Sequence, residues 1–135
     1  LGGRIGDISH AIETSIVAQG RSAGREYGIV REFTGHGIGS AMHQPPDIPN
    51  WGRAGKGPRI SEGMCLAIEP MCTLGTEDTL TAEDDWTIST TDGSWASHWE
   101  NTITVTPKGL WVLTLEDGGE AELSARGLPF GPLAD

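Results

Sequence analysis

At 135 residues the chain is long enough for one domain with its own core, and nothing in it suggests two. Nine lysines and arginines against nineteen aspartates and glutamates give a formal charge of −10, which repels phosphate backbones and argues against nucleic acid as the main partner. The longest apolar runs, residues 64–68 and 110–113, fall far short of the ~20 residues that cross a bilayer, so no membrane span is expected.

The chain opens on Leu1 rather than Met, and LGGRIGD lacks the basic-then-apolar layout of a secretory signal, which reads as an internal start within something longer. Ile5, Ile8, Ile12 and Ile16 recur at helical spacing, with Asp7 and Ser9 near the start and Gly20 after the end, predicting an amphipathic helix. A short strand follows at about residues 29–33. The glycine-punctuated GHGIG of residues 35–39 then reads as a turn that interrupts regular structure. Residues 43–63, which contain HQPPDIPNWGRAGKGP, read as a surface loop able to border a cleft, because proline and glycine exclude a helix or a central strand.

Residues 64–69 predict a buried strand that ends where Pro70 removes a backbone donor. Cys65 and Cys72, in or beside this apolar run and without CxxC spacing, read as buried thiols in a reducing cytoplasm. Residues 86–90, 95–106 and 110–115 are rich in Thr, Val, Ile and Trp and are separated by Asp92-Gly93 and Lys108-Gly109 turns, predicting an antiparallel meander. The run Glu83, Asp84, Asp85 reads as a solvated turn, without an EF-hand layout. The Gly-, Glu- and Pro-rich tail, residues 117–135, reads as loose. One helix and about five strands make the class α+β, with the helix covering one sheet face.

Four side chains suit metal or acid–base chemistry: His36 in GHGIG, His43 in MHQPP, Glu69 in AIEPM and Glu100 in HWENTITVT. Imidazole and carboxylate together match divalent ions of borderline or hard character. Glu69 after an apolar run and Glu100 inside a predicted strand both need a partner for their charge, which a metal ion provides. Each alone also fits a bland role, as a solvated strand carboxylate or a loop histidine. His98, two residues before Glu100, shares its face if the strand is regular or is a structural histidine.

Together GHGIG, His43, AIEPM and WENTITVT resemble the type I methionine aminopeptidases in order and spacing. The resemblance covers about residues 5–115 and includes GDISHAIE, REF before the glycines and DDWT at residues 84–87. It implies the pita-bread fold, two similar halves around a dinuclear site, with residues 1–135 as the C-terminal half. It further implies His36, Glu69 and Glu100 as three of five metal ligands, Glu100 bridging two divalent ions (Co, Mn, Fe or Zn). Glu69 would also be the proton shuttle and His43 the stabiliser of the oxyanion, with Met42 and Trp86 at the substrate pocket. Two aspartate ligands and a further catalytic histidine belong to the missing N-terminal half.

Met42 departs from a common aromatic and Asn101 from a usual histidine beside Glu100. The implied activity is removal of the initiator methionine from nascent cytoplasmic polypeptides, incomplete in this chain. The alternatives are a proline-directed exopeptidase of the same fold and a non-catalytic scaffold lacking the aspartates.

Overall fold

The computed structural model describes residues 2–133. Helix α1, Ile5–Ser22, lies on a five-stranded antiparallel sheet with strand order β10-β9-β4-β2-β3. These strands are β2 (Gly35–Gly37), β3 (Gln44–Ile48), β4 (Cys65–Ile68), β9 (Asn101–Val105) and β10 (Leu110–Val112). A three-stranded antiparallel sheet joins β1 (Gly28–Ile29), β5 (Met71–Thr73) and β8 (Ala96–His98), and β6 (Thr79–Thr81) pairs with β7 (Ile88–Thr90) as a hairpin. The α+β class and the helix-on-sheet arrangement follow the sequence reading. Among the described residues, no helix is long and apolar enough to cross a membrane.

Ile5 and Ile8 of the isoleucine stripe form the helix face that packs on the sheet, while Ile12 and Ile16 are partly buried. Ile5 is buried against Ile48 and Leu66, with Ile8, Ile60, Met64, Ile68 and Ile103 packed around them. The helix start is fixed by the Asp7 carboxylate, which accepts the Arg4 amide at 2.7 Å, and by the Ile5 amide, which donates to Pro58 O. Gly20 does not end the helix. It is buried inside it, where a Cβ would meet Arg25 O at 2.8 Å as the chain folds back.

The glycine segment is the largest departure from expectation. Residues 35–37 are a buried inner strand, flanked by β3 and β4, rather than a turn. Its glycines are required by close backbone approach: a Cβ on Gly35 would lie 2.5 Å from Ala67 O, and one on Gly37 2.4 Å from Pro45 O. The adjoining proline segment is also partly a strand. β3 pairs Gly35 with Ile48, His36 with Asp47 and Gly37 with Gln44, so Pro45 and Pro46 fall in the bulge between the last two pairs. There, on an edge strand, no ladder donor is needed from either proline. Replacing Gly37 by alanine is therefore expected to destabilise the fold by ~1–3 kcal/mol, read as a lower midpoint in urea denaturation with an unchanged slope.

Residues 86–115 do not form one meander. The strand predicted over residues 95–106 breaks at Trp99-Glu100 into β8 and β9, which belong to different sheets. β4 and β5 break in the same way at Glu69-Pro70. The strand count consequently reaches ten among the described residues.

The tail is also not loose where it is described. Gly118 and Gly119 adopt positive φ, which lets the chain turn back over Trp111 and Val112. Helix α2, Glu120–Ala125, follows with Leu123 buried. Leu110 then donates to Pro129 O and accepts from the Gly131 amide, tying the tail to β10. A Gly-, Glu- and Pro-rich composition points to a loose tail, whereas here Gly118 and Gly119 permit close packing.

Candidate active site

The site lies where two strand pairs change sheet together. β4 pairs with β9 up to Ile68 opposite Asn101, and β5 resumes with β8 at Met71 opposite His98. Glu69-Pro70 and Trp99-Glu100 therefore face each other across the switch, joined by the Trp99 amide donating to Pro70 O at 3.2 Å. Alternation places Leu66 and Ile68 under the helix and Ala67 and Glu69 on the opposite face. His36 is in register with Ala67 and so projects to that same face.

Glu69 is buried, 9% exposed, and each of its carboxylate oxygens meets one imidazole. His36 Nε2 lies 3.2 Å from Oε1, and His98 Nε2 lies 3.1 Å from Oε2. Its backbone is anchored as well, since the fully buried Asn50 donates from Nδ2 to Glu69 O at 3.1 Å. The ring of His43 meets that of His36 edge-on, with centroids 4.4 Å apart. Glu100 is exposed, and one oxygen of it, one of Glu69 and a ring nitrogen of His98 all lie within 4.8 Å of one another.

A cavity of about 810 Å³ opens beside these groups, with His43, Glu69 and His98 in its lining. Val30, Phe33 and Met71 give it an apolar wall. The segment around Ser94 also lines it, and Asp92 braces that segment. Asp92 accepts the backbone amides of Thr76 and Ser94, and these bonds, Thr76's first, hold its carboxyl down to about 2.

The structure thus brings together four of the six side chains picked out from sequence: His36, His43, Glu69 and Glu100. Met42, 69% exposed, and Trp86, 86% exposed, do not line the cavity. Trp86 stands in the β6–β7 turn, where the Asp84 carboxylate accepts the amides of Trp86 and Thr87 and the Thr87 hydroxyl. That is the solvated turn expected of the acidic run. Two residues with a clear part in the geometry were missed or left undecided. Asn50 sits in a segment read as loop, and His98 reaches Glu69 only through the β5–β8 register. The order of apolar runs held no signal for the first; for the second, the two-residue spacing to Glu100 was the available hint.

The donor set fits a divalent cation. His36 Nδ1 is 2.9 Å from Gly37 O, which can only accept, so Nδ1 carries a hydrogen, and whenever the ring is neutral Nε2 offers a lone pair. That lone pair faces a carboxylate oxygen, an arrangement a positive charge between them would satisfy. Imidazole nitrogen with carboxylate oxygen is also a set that first-row divalent ions accept.

Residues 2–107 match the sequence profile described as metallopeptidase family M24. The chain belongs to that family. It is 50% identical over 115 residues to methionine aminopeptidase 1 of Mycobacterium tuberculosis, covering 85% of this chain and 43% of the relative. It is 47% identical over 115 residues to the methionine aminopeptidase of Clostridium acetobutylicum, covering 85% and 44%. Among solved structures, the methionine aminopeptidase of Thermotoga maritima superposes with a TM-score of 0.77 at 41% identity, over 85% of this chain and 44% of that one. The enzyme of Rickettsia prowazekii gives 0.76 at 40% identity, over 84% and 44%.

The resemblance read from the motifs therefore holds, as does the expected pita-bread architecture of which this chain is a part. The chain spans less than half the length of the relatives it matches. Membership of a metallopeptidase family also implies a divalent metal.

Proposed function

We propose that residues 1–135 are the second half of a metal-dependent aminopeptidase that removes the N-terminal methionine of nascent polypeptides in the cytoplasm. The observation that carries this reading is the Glu69 carboxylate, held between His36 and His98 beside an apolar cavity, in a chain half identical to a methionine aminopeptidase. The remaining ligands, two aspartates, and one more histidine belong in this proposal to a first half.

His36, Glu69 and Glu100 are the metal-holding residues that the family pattern gives this chain, and cobalt, manganese, iron and zinc all suit their nitrogen and oxygen donors. Two divalent ions, when bound, supply the positive charge that makes water a nucleophile near neutral pH. Glu69 takes the proton of the attacking water and passes it to the leaving amine, acting first as base and then as acid. Its burial and its backbone anchor at Asn50 keep the carboxylate aimed at one place. His43, exposed at the cavity and without a hydrogen bond among the described residues, is free to donate to the carbonyl oxygen as negative charge develops there. The wall of Val30, Phe33 and Met71 takes the unbranched methionine side chain and excludes water from it.

The test is release of methionine from a Met-Gly peptide, with and without added Co(II) or Mn(II). Metal-dependent release that disappears on changing Glu69 supports the proposal. Release that is indifferent to both metal and Glu69 sinks it. A folded 135-residue chain that releases nothing, beside an active longer protein containing it, assigns the activity to the two halves together and leaves this chain alone as an inert scaffold.

A further inference from the structure

We propose that His98 is itself a metal ligand, so that Glu69, His98 and Glu100 hold one divalent cation using residues of this chain alone. The inference rests on the metallopeptidase reading of the same site and adds a nitrogen donor to the ligands expected from sequence. Its basis is the sheet switch. Because Met71 pairs with His98 and Ile68 with Asn101, the two-residue connections on both sides are forced opposite one another. His98 and Glu100 flank Trp99, whose amide is tied to Pro70 O, and both thereby arrive beside Glu69.

The three donors, one nitrogen and two oxygens, lie within 4.8 Å of one another. Bonds of ~2.0–2.2 Å to a common ion would bring them within ~4.4 Å, so small side-chain rotations separate the present arrangement from ligation. His98 and Glu100 have that freedom. The His98 side chain is half exposed, and Glu100 is exposed and makes no hydrogen bond or ion pair among the described residues. Two carboxylates at this spacing repel each other, and a cation between them reverses the sign of the interaction. Asn50 and the buried strand end fix Glu69, so the two mobile ligands close on a fixed one.

A hydrogen-bonding His98 and a ligating His98 are separated by Co(II) titration of the 135-residue chain, read by visible absorption without any substrate. His98→Gln retains a group able to hydrogen-bond Glu69 but removes the imidazole nitrogen. It is expected to weaken Co(II) binding at least about tenfold and to change the visible bands, which report the donor atoms. Circular dichroism of the variant, unchanged from the parent, excludes misfolding as the cause. His98→Ala with added imidazole is the second measure, and recovery of the original bands supports ligation.

Wild-type affinity and bands in His98→Gln overturn the inference, as does absence of Co(II) binding by the folded parent chain. The outcome is independent of the aminopeptidase reading: His98-dependent Co(II) binding without methionine release from the longer protein supports the site and overturns the activity. Methionine release with Co(II) bands indifferent to His98 does the reverse.

Discussion

Glu69→Gln is expected to lower methionine release by the complete enzyme ~10²–10⁴-fold, the range that a positioned acid–base group contributes. The amide has the shape of the carboxylate but cannot take a proton from water and return it to the leaving amine. The fold has little reason to change, because the strand end keeps its backbone bond from Asn50 Nδ2 to Glu69 O, and a glutamine amide can still hydrogen-bond the two imidazoles that meet the carboxylate. The substitution also removes a negative charge from between His36 and His98, so metal binding will weaken. The decisive measurement is therefore turnover at saturating metal, compared with urea denaturation of the same variant. Near-normal turnover there removes Glu69 from the mechanism, and lost turnover with an unchanged denaturation midpoint assigns it to chemistry.

His43→Ala is expected to lower kcat by ~10²–10³, as removal of one donor to a developing oxyanion does, with a much smaller change in KM. His43 differs from the proposed metal ligands in what its ring addresses. Its ring stands edge-on to that of His36 and lines the cavity, whereas His36 and His98 address the Glu69 oxygens directly. Co(II) affinity measured on the same variant provides the contrast. A defect confined to metal affinity, with kcat restored by excess metal, places His43 among the ligands instead.

The parts of this site legible in sequence were those whose chemistry is carried by a local word. GHGIG, MHQPP, AIEPM and WENTITVT pointed to His36, His43, Glu69 and Glu100, and the structure gathers all four. The isoleucine spacing likewise announced α1 and its buried face. What failed was the inference from residue type to backbone state. Glycines 35 and 37 were read as a turn because glycine tolerates unusual dihedrals, but they stand in a strand because neighbouring carbonyls come too close for a Cβ. Pro45 and Pro46, which exclude a helix or a central strand, point to a surface loop, but they occupy the bulge of an edge strand, where no donor is needed.

Both errors share a cause: propensity describes a residue by itself, and here the neighbouring strand decides. Asn50 is illegible in sequence, and His98 is left open between two roles, for a related reason, as their importance depends on what lies across a register or a chain crossing. Met42 and Trp86 illustrate the opposite hazard. The family resemblance gave them a place at the pocket that the cavity lining does not give them.

The paired exits of β4 and β9 from the large sheet make the length of two connections as consequential as their chemistry. Side chains alternate with a period of two along each strand, so deleting or inserting one residue at positions 69–70 or 99–100 would reverse the parity of everything beyond it. On one side that would exchange the faces of β5, and on the other those of β8 or β9, carrying the site's donors away from one another. Point substitutions can be absorbed one side chain at a time, but a single-codon insertion or deletion here puts two sheets out of phase at once. The site is in this sense counted as well as composed.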